Sequence, residues 1–225
     1  RRLLHNIVAF YLSEPDYSSL TAELRYIEKM NLNSQEIKAY CLKVLSKHAS
    51  TAERIPTLAD FYQRIFAITG LPQTLLDLAC GLHPLAYPWM GLSPSIQYHA
   101  FDIIQPRVDF INSFFGTIGL APLAQNQDIL THPPRIQADL CLFFKEAHRF
   151  EKRSPGCNQA FWSNLNTRWL AVSLPTQNLA GTHSLLDQHR ALIGNNLPEN
   201  HGMLHEIELD IGIVFLIANP GATAG

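Results

Sequence analysis

One segment of the 225-residue chain combines an apolar run, a glycine and a later acid in a pattern that suits nucleoside binding. Residues 75–84 read Leu-Leu-Asp-Leu-Ala-Cys-Gly-Leu-His-Pro. In an open α/β sheet the ligand binds at the carboxyl ends of the strands, where Gly81 would let the backbone approach it closely. Asp102 follows 21 residues after Gly81, at the end of the next predicted strand. An acid there accepts hydrogen bonds from ribose hydroxyls, so the segment predicts a nucleoside site.

The glycine pattern narrows the choice of nucleoside. A dinucleotide site would carry Gly-x-Gly-x-x-Gly to hold a pyrophosphate, and only Gly81 of that pattern is present. The sequence therefore favours S-adenosyl-L-methionine, an adenosine ligand without a pyrophosphate. Gln127 and Asp128, at the end of the third predicted strand, could contact the adenine edge. Two alternatives stay open: residues 77–81 as a plain turn without a ligand, and Gln127-Asp128 as turn formers.

The first 70 residues predict a helical domain that would position this site. Apolar residues recur at helical spacing over 3–12 and 20–30. Asn33 and Ser50 each precede a glutamate by three residues, which is the spacing of a capping box, and we expect the second of these helices to run to residue 70. The chain begins Arg-Arg-Leu-Leu without a methionine, so we also expect residues upstream of this domain.

From residue 71 onward, short apolar runs alternate with helical stretches, which predicts a doubly wound parallel sheet covered on both faces. The last two runs, 204–209 and 213–217, are separated by only three residues. That spacing predicts a hairpin, so one edge of the sheet should be antiparallel. The candidate strands before the hairpin are 74–79, 96–102, 123–127, 138–144 and 169–174, with helices at 107–119 and 184–193.

Composition excludes several other classes of protein. A formal net charge of -2 gives no strong overall attraction to nucleic acid, so any contact with a polyanion must be local. The four cysteines form no CxxC pair, and His201 and His205 lack a nearby ligand signature, so we predict no metal site. No apolar run approaches the roughly 20 residues that span a bilayer. We therefore expect a cytoplasmic protein with no membrane partner.

Two blocks of sequence resemble one known family, the aminoglycoside-resistance 16S rRNA (guanine-N7) methyltransferases. The first block is His-Ala-Ser-Thr-Ala-Glu-Arg at 48–54, and the second is Leu-Asp-Leu-Ala-Cys-Gly-Leu-His-Pro-Leu-Ala at 76–86. That family methylates N7 of a guanine in the decoding site of the 30S ribosomal subunit. Further matches follow in order at 101–102, 127–128, 144–145, 165–167 and 171–176.

The resemblance implies a fold, a cofactor and a set of site residues. The fold is a class I, Rossmann-like methyltransferase domain at 71–225, preceded by the helical domain at 1–70, which helps to dock on the ribosome. Arg54 would bind the methionine carboxylate, because a guanidinium binds carboxylates in bidentate fashion. Lys145 would lie near the target base as the catalytic residue. The cofactor-binding residues that the resemblance implies are Phe10, His48, Ala49, Ser50, Arg54, Ala79, Gly81, Asp102, Asp128, Ile129 and Phe144.

The implied reaction is a direct displacement on the cofactor's methyl group. Guanine N7 offers a free lone pair and loses no proton, so catalysis would depend on positioning and electrostatics and would need no general base. A stacked guanine would first have to be flipped out. Candidate side chains to receive it are Trp89, Phe143, Phe144 and Trp162. Members of this family act as monomers, which we expect here too.

The chain departs from the family pattern mainly on the RNA side. His83 stands where the family usually has Asn, and the segment 177–182 lacks the arginines that usually follow Pro175-Thr176. Fewer cations mean weaker phosphate contacts. Two alternatives therefore stay beside the rRNA methyltransferase: a relative that binds S-adenosyl-L-methionine but has lost the ribosome target, and a methyltransferase for another RNA or a small molecule.

Overall fold

The computed structural model describes residues 14–30, 33–47, 49–177, 183–210 and 212–219. Seven strands form one sheet in the order β3-β2-β1-β4-β5-β7-β6. The strands are β1 Thr74–Leu78, β2 Gln97–Asp102, β3 Ala124–Asn126, β4 Ala138–Phe144, β5 Thr167–Leu174, β6 Leu204–Leu209 and β7 Gly212–Ala218.

The first five strands are parallel, and the last two are antiparallel to their neighbours. Strand β1 pairs with β2 on one side and β4 on the other, both in parallel. Strand β7 pairs antiparallel with both β5 and β6. The predicted fold class, a doubly wound sheet with an antiparallel C-terminal hairpin, is confirmed. Because the strand order reverses beside β1, a ligand crevice is expected at its carboxyl end.

The first two described helices begin where a capping side chain accepts hydrogen bonds from free backbone N–H groups. Asp16 accepts hydrogen bonds from the backbone N–H groups of Ser18 and Ser19 at the start of the first helix. Asn33 and Glu36 form the predicted capping box at the start of the second. The helices of the described region are α1 Tyr17–Lys29, α2 Ser34–Leu45, α3 Ala49–Ala52 and α4 Leu58–Thr69, with a 3₁₀ turn at Ile55–Thr57. The apolar set at 3–12 lies outside the described residues.

The long helix predicted from Ser50 to residue 70 is wrong in one respect. The chain instead forms the short helix α3, the 3₁₀ turn and then α4. Pro56 explains the break, because its ring clashes with the carbonyl four residues earlier and it has no N–H to donate. Arg54 lies in this break, between α3 and the 3₁₀ turn, and its side chain is buried.

Helices also connect and cover the strands. They are α5 Gln105–Thr117, α6 Ala147–Arg153, α7 Cys157–Ser163 and α8 Leu186–Asn196, and a further 3₁₀ turn spans His83–Trp89. The sequence analysis predicted α5 and α8 to within a few residues. It missed α6 and α7, which are seven residues each and too short to show a clear period.

Two hydrophobic cores flank the sheet, one on each face. The first contains Leu75 of β1 and Tyr98 of β2, packed against α5 and the helices before β1. The second contains Leu76 and Phe143, packed against α6, α7 and α8. Side chains alternate between the faces of a strand, so Asp77 and Asp102 share the face of Leu75 and Tyr98 and point toward the helical region. Among the helices described, none has the length and apolar character needed to cross a membrane.

Candidate functional site

The site is built around the turn that follows β1. Ala79 and Gly81 both adopt positive φ, at 50° and 55°. Glycine adopts this conformation freely, whereas Ala79 holds it at a cost of about 1–3 kcal/mol. The turn brings the Gly81 N–H to 3.0 Å from Oδ2 of Asp102, and the Cys80 N–H donates to the Phe101 carbonyl at 2.9 Å. The glycine and the acid identified from the sequence are therefore in direct contact.

Asp102 is a buried carboxylate whose two oxygens are already engaged. Its Oδ2 accepts hydrogen bonds from the Gly81 N–H and, at 2.7 Å, from Nη1 of Arg107. Its Oδ1 accepts from the backbone N–H of Ile104 at 2.9 Å. These three donors hold the carboxylate in one orientation at the carboxyl end of β2.

The end of β3 reaches the same edge of the sheet. The N–H of Gln127 donates to the backbone carbonyl of Asp102 at 2.9 Å. Asp128 is exposed and accepts from the N–H of Leu130 at 3.0 Å, which is the turn-forming role that the sequence left open. Ile129 is buried in the second core. Asp128 thus lies on the rim of the site, and Ile129 packs beneath it.

Arg54 is a buried cation with an unsatisfied donor. Its side chain is 3% exposed, and its guanidinium carbon lies 4.9 Å from the ring centre of Phe144 and 5.4 Å from that of Phe61. Nη1 has no hydrogen-bond partner among the described residues. Burial lowers the pKa of Arg54, while the nearby Tyr62 and Asp77 oppose that shift. A buried guanidinium with a free N–H is a ready site for an anion, and a planar carboxylate matches its geometry.

Beneath Arg54 lies a buried hydrogen-bonded chain. Asp77 accepts from Nδ1 of His83 at 2.7 Å and from the hydroxyl of Tyr98 at 2.8 Å. Nε2 of His83 shares a hydrogen bond of 2.6 Å with the hydroxyl of Tyr62. Tyr62 belongs to α4 and Asp77 to β1, so His83 joins the helical region to the sheet directly under the Gly81 turn.

Lys145 stands at the mouth of the site, directly after β4. It holds a positive φ of 63°, uncommon for a residue with a side chain, and its ammonium pairs with the carboxylate of Glu53. Burial, followed by the charge of Arg149, lowers the pKa of Lys145 to about 8, and the pairing with Glu53 acts in the opposite direction. Glu53 follows α3, so this pair joins the helical region to the sheet above the site.

Arg54, Asp77, Gly81, Phe144 and Lys145 surround a small cavity of about 20 Å³. That volume holds about one water molecule. A larger cavity, lined by residues such as Asn166 and Arg168, lies at the amino ends of β4 and β5, away from the carboxyl ends of β1 and β2.

The structure brings together most of the residues that the sequence analysis selected. Ala79, Gly81, Asp102, Arg54, Phe144 and Lys145 surround or adjoin the cavity. Asp128 lies near them after β3, and Ile129 packs in the second core. Phe10 and His48 lie outside the described residues, while Ala49 and Ser50 are placed by their backbone in α3.

Two candidates for receiving a flipped base are wrong. Phe143 is fully buried and Trp162 is 1% exposed, and both pack in the second core. A side chain enclosed there cannot stack on an incoming base. In the described part of the chain, no three His, Cys, Asp or Glu side chains gather as metal ligands would.

Sequence reasoning missed three residues next to the site: Glu14, Tyr17 and Arg107. Arg107 was placed only as the start of a helix. Its position was itself a signal, because a cation in the first turn of a helix is disfavoured by the helix dipole unless a carboxylate compensates it. Glu14 and Tyr17 gave no comparable signal.

Comparisons with known proteins show which family this chain resembles. Residues 1–196 match the family model described as ribosomal RNA methyltransferase (FmrO). A 16S rRNA (guanine(1405)-N(7))-methyltransferase of Micromonospora echinospora is 34% identical over 181 residues, which cover 80% of this chain and 66% of that protein. A protein of the same name from Serratia marcescens is 30% identical over 222 residues, covering 98% of this chain and 82% of its own length.

Among solved structures, the 16S rRNA methylase RmtB superposes with a TM-score of 0.78 at 29% identity. The match covers 97% of this chain and 80% of that one. Fold, site geometry and sequence matches over most of the chain lead to one conclusion: the chain belongs to the FmrO family of ribosomal RNA methyltransferases.

Proposed function

We propose that the protein uses S-adenosyl-L-methionine to methylate N7 of a guanine in 16S rRNA. Family membership supports the reaction class. The observation that carries the cofactor assignment is Nη1 of Arg54, a donor on a buried cation that has no hydrogen-bond partner among the described residues. S-adenosyl-L-methionine supplies that partner through its α-carboxylate.

The side chains around the cavity suit the other parts of the cofactor. Asp102 can accept a hydrogen bond from the ribose, and the Gly81 turn leaves its backbone open to the ligand, since a Cβ built there would meet no atom within 4 Å. Asp128 is exposed on the rim, where its remaining carboxylate oxygen can accept from the adenine amino group. Phe144 offers its ring to the methionine portion while also packing against Arg54.

The bound cofactor supplies an activated methyl group on a sulfonium. Arg54 would hold the carboxylate of that molecule and Asp102 its ribose, so the two residues would limit its freedom to reorient before the target base arrives. The attacking N7 brings its own lone pair, so no residue has to accept a proton. The task left to this chain is to hold both reactants in line and to exclude water.

Lys145 is the residue we assign to the target base. Its position at the mouth of the cavity places an N–H donor where a guanine would enter. Guanine presents O6 beside N7 as an acceptor, and Lys145 can donate to O6 once it leaves Glu53. We further propose that the enzyme works as a monomer in the cytoplasm, on the assembled 30S subunit.

Cofactor binding is tested by isothermal titration with S-adenosyl-L-homocysteine. We expect saturable binding by the wild-type chain and strong loss of affinity for Arg54→Met and Asp102→Asn. Arg25→Met, which removes an exposed guanidinium from α1, is the matched control and should bind like the wild type. Absence of binding by the folded wild-type chain would refute the assignment.

The target is tested by incubating purified 30S subunits with cofactor that carries a labelled methyl group. We expect label in 16S rRNA. Chemical cleavage at N7-methylguanine should then cut the labelled rRNA at a single site. The segment 177–182, which has no Arg or Lys, favours a second candidate function: a family member that binds the cofactor without acting on the ribosome. Binding of S-adenosyl-L-homocysteine without rRNA labelling would support that candidate.

A further inference from the structure

Arg107 joins the helical region to the acid that faces the ribose. Its Nη1 donates to Asp102 at 2.7 Å, its Nε to the hydroxyl of Tyr17 at 2.9 Å, and its Nη2 to Glu14 at 2.5 Å. The Tyr17 hydroxyl in turn donates to the second oxygen of Glu14 at 2.5 Å. We call these four side chains the Arg107 chain. It runs from the residues before α1 to the carboxyl end of β2.

The Arg107 chain is buried and carries a fixed set of charges. Arg107 is 3% exposed. Burial by itself lowers the pKa of Arg107, but Asp102, Tyr17 and Glu14 outweigh it and the pKa is raised. Burial also raises the pKa of Tyr17, which therefore stays a neutral hydroxyl that accepts from Arg107 and donates to Glu14. One cation thus lies between two carboxylates, and none of the four groups is free to reorient alone.

The hydrogen bonds that Asp102 already accepts determine how many acceptor sites remain for a ligand. A carboxylate has about four lone-pair directions. On Asp102, the Gly81 N–H and Arg107 use both directions of Oδ2, and the Ile104 N–H uses one direction of Oδ1. One acceptor direction on Oδ1 is left. Asp102 can therefore take a single hydroxyl from a ribose, and Arg107 decides which way that direction points.

We propose that Arg107 is a positioning residue for the ribose of the cofactor, and that Glu14 and Tyr17 set its position from the helical region. The inference rests on the proposed function, because it needs an adenosine ligand at Asp102. It goes further in two ways. The helical region controls cofactor affinity without touching the cofactor there, and Asp102 binds one ribose hydroxyl, not two.

The experiment is a double-mutant cycle between protein and ligand. Isothermal titration measures the affinity of wild type, Tyr17→Phe, Glu14→Gln and Arg107→Lys for S-adenosyl-L-homocysteine and for its 2′-deoxy and 3′-deoxy analogues. Tyr17→Phe removes one hydroxyl and keeps the ring that lies 5.8 Å from Phe110, so its fold should survive. Arg25→Met, which removes an exposed charge from α1, is the control for loss of a cation outside the Arg107 chain.

We expect the wild type to bind one of the two deoxy analogues, and only that one, about tenfold more weakly than S-adenosyl-L-homocysteine. A loss of that size corresponds to one hydrogen bond to a charged group. Tyr17→Phe and Glu14→Gln should each reduce the affinity for S-adenosyl-L-homocysteine about three- to tenfold. The same variants should bind the sensitive deoxy analogue as well as the wild type does, because that analogue no longer uses Asp102.

Each other outcome separates the inference from the function on which it rests. If wild type binds none of the ligands, the proposed function fails. If wild type binds but Tyr17→Phe and Glu14→Gln keep wild-type affinity, the positioning role of Arg107 fails alone. If the Tyr17 and Glu14 variants lose affinity equally for all three ligands, the Arg107 chain has only a structural role, and the inference is also overturned. Should Arg107→Lys not fold, the two milder variants decide.

Discussion

Arg54 leads to a prediction in which stability and binding move in opposite directions. In the free protein its guanidinium is 3% exposed and Nη1 has no partner among the described residues. A buried unsatisfied donor costs about 1–3 kcal/mol. Stacking over Phe61 and Phe144 returns about 0.5–1 kcal/mol for each ring. The middle of these ranges leaves a net cost of about 0.5 kcal/mol for this cation, and the lowered pKa of Arg54 agrees with that direction.

Arg54→Met keeps an unbranched apolar stem against the two rings and removes the orphan donor. We expect the free energy of unfolding to rise by about 0.5 kcal/mol, which corresponds to a gain in Tm of about 1–2 °C for a chain of this size. Asp77 keeps its two hydrogen bonds, from His83 and Tyr98, so loss of the neighbouring cation should not expose an unpaired charge. The affinity for S-adenosyl-L-homocysteine should fall by about 100-fold, because its carboxylate loses a buried partner.

Urea unfolding and isothermal titration on the same preparations measure both effects, with Arg25→Met as the exposed control. A second variant, Arg54→Lys, keeps the charge without the bidentate geometry and should recover only part of the affinity. The reasoning would be refuted if Arg54→Met lost more than about 2 kcal/mol of stability while its affinity for S-adenosyl-L-homocysteine stayed at the wild-type value. Arg54 would then be a packing residue of the α3–α4 break.

Three further predictions follow from the buried polar groups. Asp102→Asn removes one of the two carboxylates that Arg107 contacts, so we expect urea unfolding to show a loss of about 3 kcal/mol; an unchanged midpoint would mean that the Asp102–Arg107 ion pair contributes nothing. Tyr62→Phe removes the hydrogen-bond partner of Nε2 of His83 and should cost about 1–3 kcal/mol, measured in the same way, with less than a threefold change in affinity for S-adenosyl-L-homocysteine. Burial, then the charge of Arg149, lowers the pKa of His148 to about 4. Between the ordinary histidine pKa of 6.5 and 4 the unfolded chain binds a proton that the folded chain does not, so stability falls as the pH falls through that window. His148→Gln should flatten the dependence between pH 7 and pH 5; an equal slope in both proteins would contradict the shift.

Local sequence was sufficient where structure depends on neighbouring residues. The capping box at Asn33 and the helix that follows it need only four adjacent residues, and the C-terminal hairpin needs only two apolar runs and a short turn. The contact between Gly81 and Asp102 was also predictable, because consecutive parallel strands bring their carboxyl ends to one edge of the sheet. Pro56 shows the limit, since its spacing from Ser50 satisfied the helix pattern while its ring interrupted the helix.

Amino-acid sequence by itself determined the sheet, its antiparallel edge and the glycine and acid that face a nucleoside, because each follows from periodicity or from strand order. Only tertiary structure decided how that acid is held. Glu14 and Arg107 are separated by 93 residues, and no local pattern relates two side chains at that distance in the chain. Their contact exists because α1 packs against α5 on one face of the sheet, and burial there makes each charge depend on its partner.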